Sequence, residues 1–357
     1  MIELKNINRV FIAIGVLITQ FVHGQKNSDK FEFQFENKTL RGMIESPSDG
    51  KPNAMIIIIP GHGKTNFVTG NWWSELRDNF VKSGLAVCFW DKAGCGGSDG
   101  EYEHHQLVQN SAQEAFAAIQ ELKKYEEYQN LTIGLWGISR GGFICPLIYE
   151  LYPFDFWISV SGTDDKESFG YLLKSNLIIH GKSEKDADFL YKSWMNGHKL
   201  FCTKGDFESF YQATLPLMKD TLCQKLFGFS PEITEEDKEW YYSNQKQVVD
   251  FDEKSGLQIY LPNFKTTLSK INCPVLAIFG ENDSQVDWRK TKELYEETIG
   301  KKTPSLLTIR TFENCNHSLQ KCESCGIGED LSKYNWSACD GYYETMNDWL
   351  KMNKIIE

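Results

Sequence analysis

Basic residues are scarce beside acidic ones: 38 Lys and Arg against 49 Asp and Glu leave a formal net charge of -11 over 357 residues. A surface of that sign repels phosphate, which argues against a nucleic-acid partner and leaves the charge to serve solubility. Long apolar runs are lacking too, since beyond the N-terminus no stretch approaches the roughly 20 apolar residues that cross a bilayer. No repeat of fixed period and no low-complexity tract interrupts the chain. No His-x-x-x-His pair falls on an expected helix, which argues against a metal enzyme. What remains, 41% apolar and 24% charged residues, is the composition of a globular chain with material for a large core.

At the N-terminus, Lys5 and Arg9 precede the apolar run Val10 to Val22, and Gly24 offers a small residue for cleavage before Gln25. That layout is a cleavable export signal over 1–24. A membrane anchor is the alternative, but the run is about 13 residues and holds Gln20, short of a span. No Cys stands at the cleavage position, which argues against a lipid-modified N-terminus. The expected location is therefore secreted or periplasmic, with no membrane span after cleavage, and there disulfides can persist.

Ten cysteines divide into two groups. Cys88, Cys145 and Cys273 lie in or beside apolar runs and read as small buried hydrophobes. Cys315, Cys322, Cys325 and Cys339 cluster in a polar, Gly-containing stretch near the C-terminus. The expectation there is a disulfide from Cys339 to either Cys322 or Cys325, with a four-thiolate zinc site or four free thiols as the competing readings.

Phe31, Phe33 and Phe35 alternate with Glu32, Gln34 and Glu36, the period of a strand with one buried face, and Asn37-Lys38 turns it into a second strand from Thr39 to Glu45. Ala54 to Ile59 is apolar at every residue, as strands covered on both faces are. Leu85 to Trp90, Leu131 to Trp136, Phe156 to Ser161, Pro274 to Phe279 and Leu306 to Phe312 repeat that pattern. Helical spacing fills Trp72 to Val81, Ala112 to Leu122, Gly142 to Tyr149 and Trp288 to Ile299. This alternation predicts an α/β chain with a doubly wound, mostly parallel sheet and antiparallel edge strands. The rhythm breaks over 164–268, read as an inserted helical cap, leaving 25–163 and 269–357 as the core. The cap's aromatics, among them Phe207, Phe210, Tyr211, Trp240, Tyr241 and Tyr242, are expected mainly to fill its own small core.

The most informative stretch runs from Gly134 to Gly142. A Ser at the centre of Gly137-Ile138-Ser139-Arg140-Gly141, between a strand and a helix, sits on a turn too tight for flanking side chains and projects its hydroxyl from the sheet edge. The following helix N-terminus points at the same place, and the peptide N–H of Arg140 can donate to a developing oxyanion. Pro60-Gly61-His62-Gly63 supplies the second candidate donor, the N–H of His62, the alternative being a plain Gly-rich strand exit.

Of seven histidines, His317 stands just beyond the last expected strand, at the same sheet edge as Ser139. His104 and His105 follow a Gly-rich turn, and His180 and His198 fall in the cap. Three carboxylates follow the strand that ends at Phe279. Asp283 is preferred as the acid that orients His317, with Asp287 and Glu281 as fallbacks, since acids at a helix start also serve as caps.

The order Ser139, Asp283, His317, each at a strand exit, resembles the α/β-hydrolases. The likeness extends to Asp91-Lys92-Ala93-Gly94-Cys95-Gly96-Gly97-Ser98, which is similar to the D-x-R-G-x-G-x-S loop of many members, with Lys92-Ala93 departing from the usual Arg-Gly. It covers about 50–163 and 269–351 and is greatest toward exported bacterial esterases and the prolyl-oligopeptidase and aminopeptidase-like branches. The resemblance implies the α/β-hydrolase fold and ester or amide hydrolysis without a cofactor or metal. The expected substrate is a small-molecule ester, cleaved through an acyl-enzyme, or alternatively a short peptide. A hydrolase scaffold retained for binding alone is the non-enzymatic alternative.

Overall fold

The computed structural model describes residues 26–103, 106–164, 169–245, 261 and 263–357. The export signal expected over 1–24 lies outside the described residues, as do His104 and His105. Among the described residues no helix is long and apolar enough to cross a membrane.

One eight-stranded sheet organises the chain, in the order β1-β2-β4-β3-β5-β6-β7-β8. Strands β1 (Lys26–Phe35) and β2 (Lys38–Pro47) form the expected hairpin, and β2 pairs antiparallel with β4 (Leu85–Trp90). The remaining strands, β3 (Ala54–Ile59), β5 (Thr132–Ile138), β6 (Phe156–Val160), β7 (Val275–Gly280) and β8 (Leu307–Phe312), are parallel. The doubly wound sheet is thus as the alternating pattern predicts. Both hairpin strands extend beyond the alternating Phe residues, because β1 starts with exposed residues that carry no apolar signal.

Strand β3 shows why continuous apolar runs mark the centre of the sheet. Met55, Ile57 and Ile59 join one core, while Ala54, Ile56 and Ile58 join the other. The first core is closed by α2 (Val108–Leu122) and α3 (Gly141–Leu151), together with α9 (Phe264–Lys270) and α10 (Trp288–Tyr295). The second is closed by α1 (Ser74–Lys82) and α11 (Tyr342–Met352). Helix α11 escaped the sequence reading, although Tyr342, Met346, Trp349 and Leu350 have helical spacing and are buried.

Between β6 and β7 the described residues form α4 (Phe169–Ile179), α5 (Glu184–Cys202), α6 (Phe207–Lys219), α7 (Thr221–Phe227) and α8 (Glu235–Gln245) before α9. These helices have small cores of their own. Phe207 and Tyr241 are buried with Phe201, and Phe210 and Tyr211 pack against them. Trp240 and Tyr242 are exposed instead.

Four cysteines correct the expected pairing. Cys315 is bonded to Cys339, and Cys322 to Cys325, so Cys339 joins neither expected partner. The reason lies in the backbone: Cys315 bridges Lys321 and Gln320 bridges Ala338, which carries the segment before Cys339 alongside Cys315. Cys88, Cys145 and Cys273 are buried free thiols.

Candidate active site

Ser139 follows β5 directly and is held by its own N–H to the Val160 carbonyl of β6 at 2.9 Å. Its φ of 55° lies in the left-handed region that a non-glycine residue adopts only under constraint. The turn is also closely packed, since a Cβ on Gly137 would stand 2.6 Å from the sulfur of Cys145. Arg140 caps the N-terminus of α3, which begins at Gly141. The loop after β3 passes against this turn: a Cβ on Gly61 would lie 3.1 Å from Cβ of Ser139. His62 is exposed on that loop.

Asp283 and His317 meet. His317 Nδ1 lies 2.7 Å from Asp283 Oδ2, and both side chains are nearly or fully buried. A carboxylate only accepts, so Nδ1 carries the proton and Nε2 is the basic ring nitrogen. The other oxygen, Oδ1, accepts from the N–H groups of Gln285 and Val286 at 2.7 and 2.9 Å. The two loops are also stitched through backbone, Glu281 N–H to Phe312 O and Asn282 N–H to Cys315 O.

The fallback acids go elsewhere. Glu281 accepts from the Thr311 hydroxyl at 2.7 Å, and Asp287 pairs loosely with Lys290 at 3.5 Å. His180 reaches the Ile327 carbonyl and His198 stacks on Trp194, both within or beside the cap helices. Among the described residues the Ser139 hydroxyl makes no hydrogen bond to His317. Catalytic hydrogen bonds in unliganded sites are often long and tighten on substrate binding.

The strand order explains the meeting: β5, β6, β7 and β8 are parallel neighbours, so the loops carrying Ser139, Asp283 and His317 leave one edge of the sheet. A family model described as serine aminopeptidase, S33, matches residues 50–160. Among solved structures, an esterase from Pyrococcus furiosus is similar at 15% identity and a TM-score of 0.50, over 92% of this chain and 91% of that one. A proline iminopeptidase from Mycobacterium smegmatis is similar at 13% identity and a TM-score of 0.53, over 92% and 99% of the two chains.

The chain has the α/β-hydrolase fold. No curated protein matches it by sequence. Two features of the site were not legible in the sequence. Helix α4 holds the acid loop from the cap side: the Tyr171 hydroxyl donates to Asp283 O at 3.1 Å, and Asn176 Nδ2 donates to Ser284 O at 3.1 Å. Burial, aided by the charges of Asp287 and Asp283, pushes the Tyr171 phenol up to about 12, so it remains a donor at neutral pH. Asn176 also accepts from Ile327 N–H, and Ser284 donates to Cys325 O, which joins helix, acid loop and the loop of the shorter disulfide. The second feature is Lys92, whose ammonium donates to the carbonyls of Gly61 and Gly63 at 2.7 and 2.8 Å.

Among the described residues no group of three or more His, Cys, Asp or Glu could hold a metal ion.

Proposed function

We propose that this chain is a member of the α/β-hydrolase superfamily, a secreted or periplasmic serine hydrolase that cleaves small carboxylic esters. Ser139 attacks the ester carbonyl while Nε2 of His317 removes its proton, and Asp283 stabilises the imidazolium that results. The N–H groups of Arg140 and His62 receive the oxyanion. His317 returns its proton to the departing alkoxide. Water, deprotonated by the same histidine, then releases the acid and regenerates Ser139. No cofactor enters these steps. The observation that carries the reading is the 2.7 Å contact of His317 with Asp283 at the sheet edge where Ser139 stands on its left-handed turn.

Peptide hydrolysis is the second reading, favoured by the serine aminopeptidase description of the family model over 50–160. An aminopeptidase must accept a free ammonium group near the scissile bond. The positive charge of Lys92, bonded to the Gly61 loop, disfavours that here. Export rests on the sequence of 1–24, and two disulfides are in keeping with an oxidising compartment.

A panel of p-nitrophenyl esters of graded chain length, run beside aminoacyl anilides, tests the proposal. Ester turnover without anilide turnover is expected. Anilide turnover exceeding that of every ester would favour the peptidase, and silence on both would favour a binding protein on the same scaffold.

A further inference from the structure

The turn after β4 clamps the loop after β3 through two consecutive residues. The Asp91 carboxylate, fully buried, accepts from the N–H groups of Phe67 and Val68 at 2.7 and 3.3 Å. The Lys92 N–H donates to Thr65 Oγ1 at 2.8 Å, and the Lys92 ammonium takes the carbonyls of Gly61 and Gly63, the residues on either side of His62. The carbonyl of Gly61 and the N–H of His62 belong to one planar trans peptide unit and therefore point in opposite directions. Whatever fixes the direction of the first fixes the direction of the second. A cation on the carbonyl also polarises the unit and makes its N–H a stronger donor.

We propose that Lys92 is a positioning residue for the oxyanion donor, orienting and polarising the Gly61–His62 peptide so that the His62 N–H is aimed beside Ser139. This rests on the functional reading above and adds to it a residue that touches no substrate. In the D-x-R-G-x-G-x-S pattern the Arg position falls on Ala93 and Lys92 stands one residue before it, so the cation with at least two donors held against two carbonyls is supplied here by lysine from the neighbouring position.

Lysine makes the clamp sensitive to pH. Burial pushes the Lys92 ammonium down from the usual 10.5 to about 8, with repulsion from Arg140 at the start of α3 adding to it and Glu114 on α2 and Cys95 on the same turn opposing it. Glu114 is itself raised by its burial, which weakens that opposition. The other ionisable groups nearby are Lys64 and His62, on the clamped loop, and Tyr102, over whose ring Lys64 lies. As pH rises past about 8 the charge leaves Lys92 and its grip on the two carbonyls weakens. The folded chain gives up this proton near 8 and the unfolded chain near 10.5, so this group makes the fold more stable, not less, as pH rises between those values. The buried thiols, raised by burial above the usual 9.0, act in the opposite sense at the upper end of the window, so a loss of reactivity reports the loop where the circular dichroism spectrum is unchanged.

The rate of fluorophosphonate labelling of the full chain, followed from pH 6 to 10, tests this in wild type, Lys92→Met and Lys92→Arg. Lys92→Met is expected to label on the order of 10²-fold more slowly, the range for losing one oxyanion donor. Wild-type labelling is expected to decline above about pH 8, whereas Lys92→Arg, whose charge persists, recovers most of the rate and shows no such decline. Should Lys92→Met fail to fold, the comparison of wild type with Lys92→Arg decides alone. Equal rates in wild type and a folded Lys92→Met, or the same alkaline decline in Lys92→Arg, would overturn the inference. A wild type that never labels would instead refute the nucleophile assignment, and this inference with it.

Discussion

Asp283 and His317, 34 residues apart in sequence, share a 2.7 Å hydrogen bond in which the acid's second oxygen is already engaged by two backbone N–H groups. The carboxylate is thus fixed by its own turn before it meets the imidazole, so it can hold the ring in one tautomer with little freedom of its own.

That arrangement separates two neighbouring acids. Asp283→Asn should lower ester turnover by roughly 10⁴, because a carboxamide lets His317 take the wrong tautomer. Asp287→Asn should change it little, since the Asp287 carboxylate pairs loosely with Lys290, at 3.5 Å, while His317 is bonded to Asp283. Steady-state kinetics of the two variants checks this, and a larger loss in Asp287→Asn would move the orienting role away from Asp283.

The two disulfides should differ in weight. The Cys315–Cys339 bridge spans 24 residues and begins two residues before His317, whereas Cys322–Cys325 spans only three. In the chain-entropy account the longer loop contributes about 3–4 kcal/mol and the shorter about 2 kcal/mol. The double variant Cys315→Ser/Cys339→Ser should therefore lose more stability in denaturant unfolding than Cys322→Ser/Cys325→Ser. It should also lose more turnover, because the loop bearing His317, the proposed base, is released. Peptide mapping without reduction checks the pairing itself, and a peptide joining Cys339 to Cys322 or Cys325 would contradict it.

Much of the sheet was legible because its strands are covered on both faces. A run such as Ala54–Ile59 must then be apolar at every residue, and its ends are marked by the first Pro or Gly. Long-range pairing was not legible in the same way. Cys339 was assigned by proximity in sequence to Cys322 and Cys325, but the pairing is set by a backbone bridge between Gln320 and Ala338 that leaves no compositional mark. Sequence also left three carboxylates after β7. The choice among them turns on a local detail, the Asp283 N–H to Gly280 O contact and the two backbone donors on Oδ1, which frees Oδ2 for His317. Lys92 was read only as part of a pair, Lys92-Ala93, that departs from the usual Arg-Gly. Its signal, a cation following a buried acid and facing a Gly-x-Gly strand exit, becomes readable once β3 and β4 are known to be neighbours.

The nucleophile is the centre of the account, and Ser139→Ala tests it most directly. The turn that carries the φ of 55° at Ser139 is held by the bond to Val160 O and closely packed at Gly137 against Cys145, neither of which the substitution removes. The variant should therefore keep the circular dichroism spectrum and unfolding transition of the parent. Fluorophosphonate labelling should vanish, and ester turnover should fall on the order of 10⁶-fold. Continued labelling of a folded Ser139→Ala protein would contradict the assignment and place the nucleophile at another residue.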